Sequence, residues 1–178
     1  MAQAEELRQL AVDQVRSGFP VGDPPLPDVA RNDHCLECAE TSEIFLGRRW
    51  TDITVADLLG NPSPYLLNEV AFRYYLPAMM TCSLDAPDEL DCFPQELIGV
   101  LSPSRGKTND RDARRLASFS RDQIQAILAF LRFFQARQRK DEWAGFGLPP
   151  EVVEELPTDR VLERAIEYWA QKLSLVSS

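Results

Sequence analysis

The sequence predicts an all-α protein, a helical bundle of irregular layout. Three observations carry that prediction. Apolar residues recur at helical spacing in separate segments, most clearly from Ile124 to Phe134. Capping signals stand at several segment ends. No run of alternating apolar residues is long enough for a confident strand, and the pattern allows only a short one near Trp50–Ile53.

Taken in order, residues 4–17 form an amphipathic pattern with Leu7, Leu10, Ala11 and Val15 as its stripe, stopped by Gly18 and Pro20. Residues 20–33 are a proline-rich connector. A second helix is expected from about Cys35 to Leu46, with Gly47 at its C′ position. Thr54 with Asp57 opens a short helix. After the breaker Asn61-Pro62-Ser63-Pro64 comes the most apolar stretch, Tyr65 to Leu84. Pro77 inside it removes a backbone donor, so a kink or a split near Tyr75 is expected.

Residues 94–101 suit a short helix. Residues 102–118 are polar, basic and poor in large apolar side chains, and read as a loop or mobile segment, the alternative being that its arginines dock onto the acidic first half. Ser120-Arg-Asp-Gln123 is a capping box, and the helix behind it should be central. Arg137, Arg139 and Lys140 lie near its C-terminus, where the helix dipole favours cations. A last helix is expected from about Asp159 to Leu173. Ile127, Leu131, Phe134, Ile166 and Trp169 should meet in the core. The whole chain, 1–178, reads as one helical domain.

Charge narrows the partners. The net charge is -9, unevenly placed: residues 1–100 hold 17 Asp/Glu against 6 Lys/Arg, and residues 101–178 hold 11 against 13. The first part cannot neutralise phosphates without opposing its own field, which argues against nucleic acid and anionic membrane. A basic protein partner fits the charge better. No stretch reaches the roughly 20 apolar residues of a membrane span, and the charged start lacks a secretory core, so a cytoplasmic protein is expected. The four cysteines, Cys35, Cys38, Cys82 and Cys92, are then reduced thiols.

His34-Cys35-Leu-Glu-Cys38 places two thiols at a zinc-ligand spacing, but no second Cys-x-x-Cys or His pair completes the set. Burial is the ordinary role of such cysteines. Arg105-Gly-Lys-Thr108 mimics the end of a P-loop, yet Leu101 stands where its first glycine belongs. His34 is the single histidine, and no nucleophile-elbow, zincin or dinucleotide pattern occurs. No cofactor and no metal are expected. Glu37, Glu40 and Glu43 recur on one helix face, and Asp85, Asp88, Glu89 and Asp91 form an acidic turn. A solvated surface explains either group; contact with a basic protein is the functional reading.

Phe72-Arg-Tyr-Tyr75-Leu-Pro77-Ala78 is the most distinctive string. With His34-Cys-x-Glu-Cys38 and Gly47-Arg-Arg-Trp50 it resembles a family of small uncharacterised bacterial proteins, over about residues 34–134. The helix start here, Asn68-Glu69-Val70-Ala71-Phe72, differs from the Pro-Glu-Ala-Phe of many members. The resemblance implies a bacterial cytosolic protein with one helical domain and carries no activity.

The reading that results is a non-enzymatic binding protein. Its specific form is an immunity protein that neutralises a basic bacterial toxin, such as a nuclease effector, by covering its active site. Glu37, Glu40, Glu43, Asp85, Asp88, Glu89 and Asp91 are the expected contacts, with Trp50 or Trp143 as an exposed aromatic anchor. The alternative is a zinc-binding or enzymatic protein built on His34, Cys35 and Cys38.

Overall fold

The capping box at Ser120 starts the longest helix, as the sequence requires. The Ser120 amide donates to Gln123 Oε1 at 3.0 Å, and the Gln123 amide donates to Ser120 Oγ at 3.3 Å. The computed structural model describes residues 2–30, 35–60, 62–103, 110–117, 119–143, 149, 152 and 158–176. Among these the α-helices are α1 (Ala2–Gly18), α2 (Leu36–Phe45), α3 (Val55–Leu58), α4 (Glu69–Asp85), α5 (Phe93–Leu101), α6 (Asp110–Leu116), α7 (Arg121–Trp143) and α8 (Arg160–Leu175). No strand forms among the described residues. The short strand expected near Trp50–Ile53 is instead a 3-10 turn, Trp50–Asp52, and one isolated bridge joins Ala30 to Leu67.

α7 is the spine. α1 lies along one side of it and α8 along another, while α4 packs on α1, α3, α5 and α6. Ile124, Ile127, Phe130 and Leu131 of α7 are almost fully buried, as are Ala165 and Trp169 of α8. Ile166 is partly buried against the same core. Each large apolar side chain so buried contributes about 1.5–3 kcal/mol.

α4 runs unbroken through Pro77, so the expected split does not occur. The missing N–H costs about 3 kcal/mol in a helix interior. Phe72, Tyr75, Leu76, Met79, Met80 and Leu84 are all fully buried on this helix, and their burial outweighs that loss.

Two other expectations change. In α1 the stripe is rotated: Val12 is buried and Leu10 is half exposed, because the helix lies between α7 and α4. The stretch expected as a loop over 102–118 contains α6. Its Arg115 is buried, donating to the carbonyls of Tyr65 at 3.1 Å and Leu67 at 2.8 Å, with its guanidinium 5.0 Å from the Phe72 ring centre. A charged residue thus docks α6 where apolar residues are few. Residues 104–109 and 118 of that stretch lie outside the described residues.

The connector is strapped to α4. Asn68 caps α4 through Val70 and Ala71, its amide donates to Val29 O at 2.8 Å, and its Nδ2 donates to Asp28 O at 2.7 Å. The Tyr74 hydroxyl donates to Gly22 O at 2.7 Å.

Candidate functional site

The distinctive strings fold into one another. Gly47 ends α2 at φ +73°, the left-handed conformation that favours glycine. The turn that follows brings Arg48 onto Asp57, with bonds of 2.8 and 2.9 Å to the two carboxylate oxygens. The same guanidinium donates to the Ile44 and Asp52 carbonyls. Asp57 also closes the predicted capping box with Thr54. The Arg48 guanidinium holds the Asp57 carboxyl well below the usual carboxylate range. Tyr75 reaches across from α4, its hydroxyl shared between the carbonyls of Phe45 and Arg48. Burial pushes that phenol up to about 12. Gly47-Arg-Arg-Trp50 and Phe72-Arg-Tyr-Tyr75 are therefore two halves of a structural joint.

Trp50 belongs to that joint. It is 7% exposed, and its 3-10 turn packs on α4, so it is not the exposed anchor that the sequence suggested. The Trp143 side chain lies outside the described residues.

The cysteines differ in their surroundings. Cys38 and Cys82 are buried, Cys35 is partly buried, Cys92 is exposed, and none is in a disulfide. Cys82 donates to Ile53 O, and burial raises its thiol to about 12. Among the described residues no group of three His, Cys, Asp or Glu could hold a metal ion. His34 lies outside them.

The two acidic groups differ in what they face. Glu37, Glu40 and Glu43 are exposed on α2 and enter no ion pair among the described residues. Leu36, 76% exposed, stands at the start of the same face, and at about 100° per residue Glu40 and Glu43 flank its direction. At the last residue of α4, Asp85 pairs with Arg8 at 2.8 Å, and in the turn that follows Asp88 pairs with Arg137. Part of that turn is therefore neutralised from within. Glu89 and Asp91 are exposed.

Asp88 and Asp91 also rim a cleft of about 870 Å3, which lies between α5, α7 and the start of α8. Its walls mix apolar side chains, among them Ile98, Phe134 and Leu162, with Arg137 and Arg164. The frame is tied by hydrogen bonds. Trp169 Nε1 donates to Leu101 O at 2.9 Å, joining α8 to the end of α5. The Asp159 amide donates to Gln138 Oε1 at 3.1 Å, joining the start of α8 to α7. Asp159 itself caps α8 through Val161 and Leu162. Gly99 sets the width at one end: a Cβ there would lie 2.6 Å from the Tyr65 hydroxyl.

Sequence reasoning placed Asp88 and Asp91 at a surface and missed Ser102, Arg137 and Arg164, which share the cleft with them. These residues come from three helices or their ends, far apart in sequence. The only hint was the cluster of cations at the end of α7.

A family model of unknown function matches residues 35–173, most of the chain. The chain belongs to DUF6714. The match runs from the start of α2 almost to the end of α8, so the structural joint, the α2 face and the cleft all lie within the DUF6714 region. α1 lies outside it, although it packs along α7. No curated protein matches the chain, and no solved structure matches it. No helix among the described residues is long and apolar enough to cross a membrane.

Proposed function

We propose that this DUF6714 chain is a non-enzymatic binding protein for a basic protein, and specifically an immunity protein that covers the active site of a basic toxin. The observation that supports this reading best is the exposed face of α2. There Glu40 and Glu43 flank the exposed Leu36, with Glu37 to one side, and no cation of the described chain answers them. Exposed carboxylates of this kind steer a basic partner to the surface, and an apolar side chain among them supplies contact area once water is excluded. Asp85 and Asp88 contribute less, because Arg8 and Arg137 already hold them. Glu89 and Asp91 extend the acidic surface.

The test is association kinetics against salt, with the partner recovered by pull-down on the full chain. Glu40→Lys with Glu43→Lys should lower the on-rate about tenfold at low salt, and the difference should shrink as salt rises. Leu36→Ser should raise the off-rate and leave the on-rate nearly unchanged. An acidic partner, or binding indifferent to both salt and the double reversal, would overturn the proposal.

A further inference from the structure

The cleft between α5, α7 and α8 holds two polar groups that find no hydrogen-bond partner among the described residues. Ser102, at the C-terminal end of α5, is 8% exposed, and its Oγ makes no hydrogen bond among the described residues. Arg164 Nε is buried and likewise makes none. Both residues line the same cleft. A buried donor left without an acceptor costs about 1–3 kcal/mol, more for a charged group, so two in one cleft mark a place where an incoming acceptor would be rewarded.

The elements that carry the two groups adjoin, since α5 packs on α8. Trp169, tied to Leu101 beside Ser102, lies five residues from Arg164 on α8. That is about 7.5 Å of helix rise.

The charges in the cleft select the chemistry. Arg137 is engaged by Asp88, and the carboxylate of Asp159 is taken up by the first amides of α8. Arg164 is in no ion pair among the described residues, so its charge is the one left to be answered. Asp88, Asp91 and Asp159 at the edges would repel a polyanion. The apolar walls suit a hydrocarbon or aromatic body. The cleft, about 870 Å3, falls within the range of small-molecule sites.

We propose that this cleft binds a small organic monocarboxylic acid, its carboxylate paired with Arg164, its body against Ile98, Phe134 and Leu162, and Ser102 donating to an acceptor on the ligand. This site shares only its rim residues Asp88 and Asp91 with the acidic surface proposed above and is separate from the α2 face, so either reading can fail alone.

The test uses 8-anilinonaphthalene-1-sulfonate as a fluorescent apolar monoanion, displaced by 4-phenylbutyrate or by its neutral amide, 4-phenylbutyramide. The expected result is saturable displacement by the acid and displacement at least about tenfold weaker by the amide, as the loss of a charge-assisted pair implies. Arg164→Met should remove the preference for the acid. Ser102→Ala, which keeps the helix end intact, should weaken the acid about threefold or more. Amide NMR shifts with the unlabelled acid should cluster at residues 98–102 and 161–164, which tests the site in the unaltered chain. Equal competition by acid and amide, an acid preference that survives Arg164→Met, shifts confined to other residues, or no displacement at millimolar acid would each overturn the proposal.

Discussion

At Asp57 one carboxylate serves three elements. It caps α3 through Thr54, it grips Arg48 with both oxygens, and through Arg48 it fixes the turn that Tyr75 holds from α4. Both members of the ion pair keep some solvent contact, with side chains 34% and 25% exposed, so the charge acts at moderate strength. The carboxyl is depressed in the folded chain by the Arg48 hydrogen bonds. A depressed acid binds fewer protons folded than unfolded, so stability rises with pH through its window. Its contribution is complete above the unfolded value of about 3.9 and is lost as pH falls toward the folded one. Asp57→Asn should therefore lower stability by about 1–2 kcal/mol at pH 7. Urea unfolding at pH 7, 5, 4 and 3 should show that gap closing from pH 4 downward. A gap that is constant with pH would place the effect in packing and not in the charge.

At the level of the helix, ends proved easier to read than faces. Ser120 with Gln123, Thr54 with Asp57, and Gly47 each mark a terminus through a local rule, and each terminus forms where the rule puts it. The buried face of α1 depends on what packs beside it, which no local rule contains. α6 is a sharper case, because its anchor is an arginine whose acceptors are the distant carbonyls of Tyr65 and Leu67. The seam between α1 and α7 offers a test. Gly18 ends α1 against the first turn of α7, where an added Cβ would lie 2.9 Å from the Asp122 carbonyl oxygen. That oxygen is backbone and cannot swing away. Gly18→Ala gains up to about 1 kcal/mol in helix propensity but meets an overpacking penalty of about 1–3 kcal/mol, so net destabilisation is expected. Gly22→Ala, with open space around its Cβ, should be neutral or slightly stabilising. A lower urea midpoint for Gly18→Ala alone would bear this out; equal midpoints for the two would not.

For the molecule as a whole, the all-α class and the α7–α8 part of the core were legible, because helical periodicity and burial coincide on those two helices. The cleft was not, since Ser102, Arg137 and Arg164 meet only after three helices are packed. The same dependence sets how much chain the fold needs. The family match begins at residue 35, yet Ala11, Val12, Val15 and Phe19 are buried in the common core. Asn68 and Tyr74, both within the matched region, direct hydrogen bonds to residues 22–29. A chain beginning at residue 35 would bare the α7 surface under α1 and strand the polar groups that hold the connector. Losing these buried side chains removes roughly 5 kcal/mol of apolar burial, comparable to the whole stability of a small domain. The segment 35–173 expressed alone should therefore melt at least about 10 °C below the full chain or collect as aggregate. Adding residues 1–34 in trans should recover native-like circular dichroism only if the two pieces are mixed during refolding, since α1 lies along the central helix. A segment 35–173 with the full chain's melting temperature would show that α1 is an accessory and that the core closes without it.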